Sequence, residues 1–213
     1  MEKLTLYHAA PSRSSIVRWM LEEVGEPYET VLLDYGTTMK SADYLAVNPM
    51  GKVPAIKHGG TVVTEGAAIC AYLADAFPQA NLAPPPGDPA RGAYYRWLFF
   101  AAGPVEAAVT NKSQGFHSDQ KLMLGYGSFE ETIDALETAL APGPYICGEQ
   151  FTAADVYVGA QIGWGMMFGT IEKRPSFEAY FARLQARPAA IRANELDDAA
   201  MPKQEAAAAP QPA

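Results

Sequence analysis

An α/β unit over residues 1–79 followed by an all-α bundle over 92–200 is the fold class this 213-residue chain predicts, and three observations carry it. Strand-like and helix-like periodicities alternate as far as Ala76, a proline-rich stretch interrupts both, and every periodic segment beyond it repeats at helical spacing. The stretch over 80–91 reads as a linker, because Pro84, Pro85, Pro86 and Pro89 with Gly87 suit neither element type. Residues 201–213, rich in alanine and proline, read as a disordered tail.

Leu4 to Tyr7 predicts a short strand, and Ile16, Val17, Met20, Leu21 and Val24 then recur on one helical face until Gly25 and Pro27 end it. Thr30 to Leu33 predicts a second strand, completing a βαβ unit. Val53 to Lys57 and Val62 to Thr64 predict a hairpin turning at His58-Gly59-Gly60, and Ile69, Tyr72, Leu73 and Ala76 a further helix. This order, βαβ then ββα, is a thioredoxin-like arrangement in which helices cover a small mixed sheet. Past the linker, helices are expected over Tyr94 to Val105, Phe129 to Leu140 and Phe177 to Leu184, with a buried one over Val156 to Ile162. Thr152 and Asp155 before that buried run form a capping pair, in which the hydroxyl meets an orphan N–H and the carboxylate reaches back.

A net charge of −8 argues against nucleic acid and anionic membrane as partners, so an anionic ligand must be met by local positive groups. No run approaches the roughly 18 apolar residues of a membrane span, and Met1-Glu2-Lys3 leads straight into a strand, so a cytoplasmic protein is expected. Cys70 and Cys147 lack metal or redox spacing and read as buried free thiols. His8, His58 and His117 have no second ligand at metal spacing, and no metal is expected. The run Gly163 to Gly169 has the wrong glycine spacing for a dinucleotide loop.

The most informative stretch is Gly51-Lys52-Val53-Pro54-Ala55-Ile56 followed by Thr64-Glu65-Gly66. Pro54 cannot donate to a ladder, so it belongs at an edge or in a cis turn, which frees neighbouring backbone groups for a ligand. Glu65 and Gly66 fall between a short β run and a helix, which places a carboxylate and unpaired N–H groups at a helix start. A peptide-like ligand with an amine and a carboxylate fits there.

These motifs, with Glu65 eleven residues after Pro54, resemble the glutathione-binding half of the glutathione S-transferase superfamily, and the resemblance covers nearly the whole chain. It implies that Val53 and Pro54, across a cis bond, expose backbone to the cysteinyl part of reduced glutathione, while Glu65 and Gly66 hold its γ-glutamyl end. Lys52 is a candidate partner for the glycine carboxylate, and Arg13 is either a local counter-charge or an exposed helix-start residue. Many relatives have serine where Gly66 stands, so a weaker hold on glutathione is expected. The capping box at Thr152 is also a family feature.

A transferase of this kind must ionise a thiol whose free pKa of about 8.5 leaves only a few per cent as thiolate at pH 7. A hydrogen bond to a charged group contributes about 1.5–3 kcal/mol, comparable to a shift of about two units, so one hydroxyl at the start of the first helix suffices. Ser12 falls where the serine-type classes keep that hydroxyl and where the bacterial beta class keeps a cysteine; Ser14 and Ser15 are further hydroxyls in the loop, and any of the three can instead simply cap the helix. Tyr7 is the rival, since the tyrosine-type classes place their hydroxyl at the end of the first strand, with an arginine six residues on as Arg13 stands here. The resemblance further implies a homodimer and a second substrate, a small hydrophobic electrophile, held against the helical part, where Tyr94, Trp97, Phe99, Phe100, Phe116, Trp164, Met166, Met167 and Phe168 offer apolar surface and most of them are expected to be core. Glutathione-dependent disulfide or peroxide reduction and a non-catalytic ligand carrier are the alternatives; the lack of cysteine near Ser12 weighs against glutaredoxin-like mixed-disulfide exchange, which requires an attacking protein thiolate.

Overall fold

A computed structural model describes residues 2–201, so the expected tail beyond Met201 lies outside the described residues. β1 (Leu4–His8) lies inside a four-stranded sheet, parallel to β2 (Glu29–Leu32) on one side and antiparallel to β3 (Ala55–His58) on the other, with β4 (Thr61–Thr64) completing the order β2-β1-β3-β4. The parallel β1–β2 pair requires a crossover, and α1 (Ser14–Val24) supplies it. The arrangement is thioredoxin-like. The β2 strand begins and ends one residue earlier than its apolar pattern suggests, and as an edge strand it leaves all four residues exposed.

The face of α1 read from the sequence is the one that is buried, with Ile16, Val17, Met20, Leu21 and Val24 all in the core. Burying side chains of this kind stabilises by about 1.5–3 kcal/mol apiece. Gly25, at φ +77°, closes the helix by donating its N–H to the Leu21 carbonyl at 3.0 Å, a left-handed cap that glycine adopts without a Cβ penalty. Between β2 and β3 the chain makes a 3₁₀ turn and the short α2 (Ala42–Leu45), which sequence periodicity did not signal because four residues are too few to repeat. The helix α3 (Gly66–Ala76) follows β4 and packs on α1.

After Pro89 the helical part begins with α4 (Arg91–Phe100), which runs through a π turn at Ala101–Val105 into α5 (Glu106–Ser113). Pro104 lies in that turn; it has no N–H to give, and the wider turn takes up its ring. Then come α6 (Phe129–Leu140), α7 (Ala153–Phe168), α8 (Pro175–Gln185) and α9 (Pro188–Ala200). α7 is apolar on every side and packs against α1, α3, α4 and α8, the position such a helix must take. Gly163 and Gly165 belong to α7, not to a nucleotide loop. A Cβ at Gly163 would sit 2.1 Å from the Phe181 ring, and one at Gly165 would sit 2.5 Å from Ile171, so the small residues set how closely those neighbours approach.

The two parts are joined by charge as well as by the core. Arg187, just before α9, forms a two-pronged pair with Glu23 of α1 at 2.7 Å per prong and lies over the Phe151 ring, while the Trp19 indole donates to the same carboxylate at 2.9 Å. This anchors α9 along α1, which brings Asp197 over the end of β1.

Candidate functional site

Two cavities meet at Arg13, in the crevice between the sheet's loops and the bundle. The smaller, about 270 Å³, is lined by Asn48, Met50, Lys52, Val53, Pro54, Glu65, Gly66 and Ala67 from the first part, and by Ala102, Glu106 and Tyr157 from the bundle. The larger, about 900 Å³, is lined by Pro11, Ser12, Arg13 and Ser15 on one side and by Trp164, Met167 and Phe168 of α7 on the other, with Tyr35, Asn194 and Asp197 at its edges.

Each wall has a local cause. The Val53–Pro54 peptide is cis, and the turn before it is fastened by Tyr44 Oη and Asn48 Nδ2, which donate to the Lys52 carbonyl at 2.5 and 2.7 Å. Glu65 stands at φ +68°, a region that non-glycine residues enter at a cost of about 1–3 kcal/mol. No side chain caps α3, so the first N–H groups of that helix face the cavity beside the carboxylate. Among the described residues, neither Lys52 nor Glu65 has an ion-pair partner, whereas Arg13 pairs with Glu106, and Glu106 also accepts from Gln161 Nε2 at 3.0 Å. The small cavity therefore offers a free ammonium, a free carboxylate and a helix N-terminus, complementary to a zwitterion with more than one carboxylate.

At the junction, the Ser14 N–H donates to Ser12 Oγ at 3.0 Å and the two hydroxyl oxygens lie 2.6 Å apart. Ser12 thus takes up one N–H at the start of α1, whose N-cap position is Arg13. Tyr7 lines neither cavity; its ring lies 5.4 Å from that of Tyr44, in a small apolar cluster with Leu33 and Met39.

Family models for the N-terminal and the C-terminal domain of glutathione S-transferase match residues 12–76 and 106–183, together more than half of the chain. The chain belongs to the glutathione S-transferase family. It is 30% identical to glutathione S-transferase GstA of Escherichia coli O157:H7 over 79% of this chain and 86% of that protein. The crystal structure of a glutathione transferase from Methylococcus capsulatus superposes with a TM-score of 0.78 at 32% identity, covering 92% of this chain and 99% of that one. A sphingomonad glutathione S-transferase complexed with glutathione gives a TM-score of 0.76 at 30% identity, over 91% and 98% of the two chains.

In this glutathione S-transferase the residues expected from sequence divide by position. Lys52, Val53, Pro54, Glu65 and Gly66 gather around the small cavity, Ser12 opens onto the large one, and Arg13 belongs to both. Of the aromatic and methionine residues expected to offer surface to a second substrate, Trp164, Met167 and Phe168 line the large cavity, whereas Tyr94 and Trp97 are buried core and Phe99 points into solvent. Among the lining residues that the sequence does not announce as binding groups are Asn48, Tyr157, Gln161 and Glu106, with Tyr35, Asn194 and Asp197 at the edges of the large cavity. The signal available was Tyr157 and Gln161 four residues apart on one face of an otherwise apolar helix.

Tyr157 also explains the glycine at position 66. A Cβ there would come within 2.9 Å of the Tyr157 ring, which is itself buried, and burial pushes that phenol up to about 12 so that it stays protonated. The ring occupies space that a serine side chain would need. Gly66→Ser is expected to lower stability by about 1–3 kcal/mol through overpacking. Urea unfolding measures this, and an unchanged midpoint would show that Tyr157 has room to swing aside.

Proposed function

We propose that this glutathione transferase seats reduced glutathione in the small cavity and uses the Ser12 hydroxyl to hold its sulfur as a thiolate, which attacks small hydrophobic electrophiles in the large one. The observation that carries the reading is the pairing of unpartnered Lys52 and Glu65 with the uncapped start of α3 beside a cavity that adjoins Ser12. Glu65 suits the γ-glutamyl ammonium, the Gly66 N–H its carboxylate, Lys52 the glycine carboxylate, and the backbone at Val53 and Pro54 the cysteinyl unit. The apolar side of the large cavity, Trp164, Met167 and Phe168, suits an electrophile with a greasy body.

Ser12 is preferred to Tyr7 because it faces a cavity and Tyr7 does not. Disulfide reduction by mixed-disulfide exchange with the protein needs a protein thiolate, and burial pushes the Cys70 and Cys147 thiols up to about 12 and about 11. A beta-like subclass with Ser12 in the cysteine position, a cytoplasmic setting and a homodimer belong to the same reading. Exposed Met50 in the first part and exposed Phe99 in the bundle support a two-fold contact between those parts. Among the described residues no helix is long and apolar enough to cross a membrane, and no group of three His, Cys, Asp or Glu is placed to hold a metal ion.

The test is an ultraviolet titration of bound glutathione. The expected result is a thiolate signal at pH 7 well above that of free glutathione; no excess would leave a ligand carrier. Glu65→Ala is expected to weaken glutathione binding by about tenfold or more, the loss of one charged hydrogen bond, without changing the thiol pKa of what still binds. Undiminished retention of that variant on immobilised glutathione would remove Glu65 from the site.

A further inference from the structure

His8, at the end of β1, is fully buried and faces neither cavity, yet it is joined to Ser12 through one hydroxyl. Its Nδ1 lies 2.8 Å from Ser14 Oγ, which in turn lies 2.6 Å from Ser12 Oγ. On the other side of the ring, Nε2 stands 3.2 Å from Asp197 Oδ1 of α9, and the same oxygen is 3.1 Å from the buried Arg18 guanidinium.

A hydroxyl has one proton and two acceptor sites, and that count decides the direction of the chain. Ser14 Oγ already accepts the Ala9 N–H at 3.2 Å. If His8 Nδ1 carries a proton, it fills the second site on Ser14 Oγ. Ser14 then gives its own proton to Ser12 Oγ or to the Ala9 carbonyl at 3.2 Å, and in either case has no site left to accept from Ser12, so the Ser12 proton points outward. If Nδ1 is bare, Ser14 donates to it or to the Ala9 carbonyl and keeps one acceptor site open. The short contact then becomes Ser12 donating to Ser14, and the hydroxyl is turned away from any ligand sulfur.

We propose that His8 is a positioning residue which, protonated on Nδ1, orients the Ser14 and Ser12 hydroxyls so that Ser12 donates to the glutathione sulfur. This rests on the Ser12 reading above. Asp197 supplies a counter-charge 3.2 Å from Nε2, within ion-pair distance but without hydrogen-bond geometry, for a ring bearing protons on both nitrogens, and Ser14 meets the ring's other side. Arg18 is the remaining charged group at this point, and the neighbouring β2 residue in register, Leu32, is uncharged. The arrangement ties the thiol-binding loop to α9, so the last helix contributes to the orientation of a hydroxyl on the first.

The experiment compares three variants in the full-length protein by the thiol pKa of bound glutathione and by the glutathione dissociation constant. His8→Phe removes the donor and is expected to raise the bound thiol pKa by about one unit, with the dissociation constant within about twofold. His8→Asn, which can present an amide N–H toward Ser14, is expected to recover most of that shift. A merely structural histidine would lower stability without separating the two quantities. The inference is overturned if both His8 variants keep the wild-type thiol pKa while Ser12→Ala raises it. If Ser12→Ala itself leaves the pKa unchanged, the Ser12 reading fails and the inference goes with it. Should the His8 variants fold poorly, nitrogen-15 spectra of wild-type protein, which has only three histidines, serve instead: a proton on Nδ1 of His8 near neutral pH supports the inference, and a bare Nδ1 overturns it.

Discussion

Ser12→Ala is expected to lower kcat/KM for conjugation by about 10- to 1000-fold, equivalent to about 1.4–4 kcal/mol of transition-state stabilisation. The range follows from the job assigned to the hydroxyl. A hydrogen bond to a charged acceptor is worth about 1.5–3 kcal/mol, and the start of α1 supplies a further 0.3–1 kcal/mol or so that the mutation leaves in place. The bound thiol pKa should rise accordingly, moving the acid limb of the pH–rate profile upward. Ser12 also accepts the Ser14 N–H at 3.0 Å, so the variant loses one hydrogen bond worth about 0.5–1.5 kcal/mol of stability. The two effects are separable: the lost hydrogen bond is read in urea unfolding, the catalytic loss in the thiol pKa of folded enzyme. Tyr7→Phe should cost much less, because that ring is packed on Tyr44 and opens onto neither cavity. The reverse ordering of the two variants would move the catalytic hydroxyl to Tyr7.

What could be read from the chain beforehand was what local chemistry dictates. Pro54 restricts its own backbone, Glu65 and Gly66 announce a helix start, and the stripe from Ile16 to Val24 is buried as its spacing requires. Each depends on residues a few positions apart. The site's other half depends on residues brought together from far along the chain, and there the reading stopped. The helix α9 was not separately recognised because its buried stripe is built of alanines, Ala190 and Ala193, which register weakly as periodic apolar signal. Nothing local therefore gives Asp197 a place, and nothing beside His8 in the sequence announces a partner for its ring. Tyr157 was absorbed into a run that is apolar almost throughout. Phe99 shows the opposite error: aromatic character suggested a binding wall, but its place on α4 turns it to solvent. An apolar side chain states that it can bury area, not which neighbour will cover it.

Asp155→Ala is expected to destabilise the fold by about 3–5 kcal/mol, a large share of the 5–15 kcal/mol typical of a folded domain. Asp155 is fully buried. One carboxylate oxygen accepts from the Ile146 N–H at 2.7 Å and from Tyr180 Oη at 2.8 Å, the other from the Thr152 N–H at 2.8 Å and the Thr152 hydroxyl at 3.2 Å. The capping box read from the sequence accounts for only part of this. The same carboxylate also pins the loop before α7 and the Tyr180 side chain of α8, so its removal leaves buried donors from three segments without an acceptor, each costing about 1–3 kcal/mol. Because α7 packs against both parts of the molecule, the damage should appear as a single shifted transition in thermal unfolding, lower by about 10 °C. Protein that remains folded should bind glutathione as before, since Asp155, two residues before Tyr157 and therefore on another side of α7, lines neither cavity. A loss under about 1 kcal/mol would mean that water can take the place of the carboxylate, and that the box does no more than cap a helix.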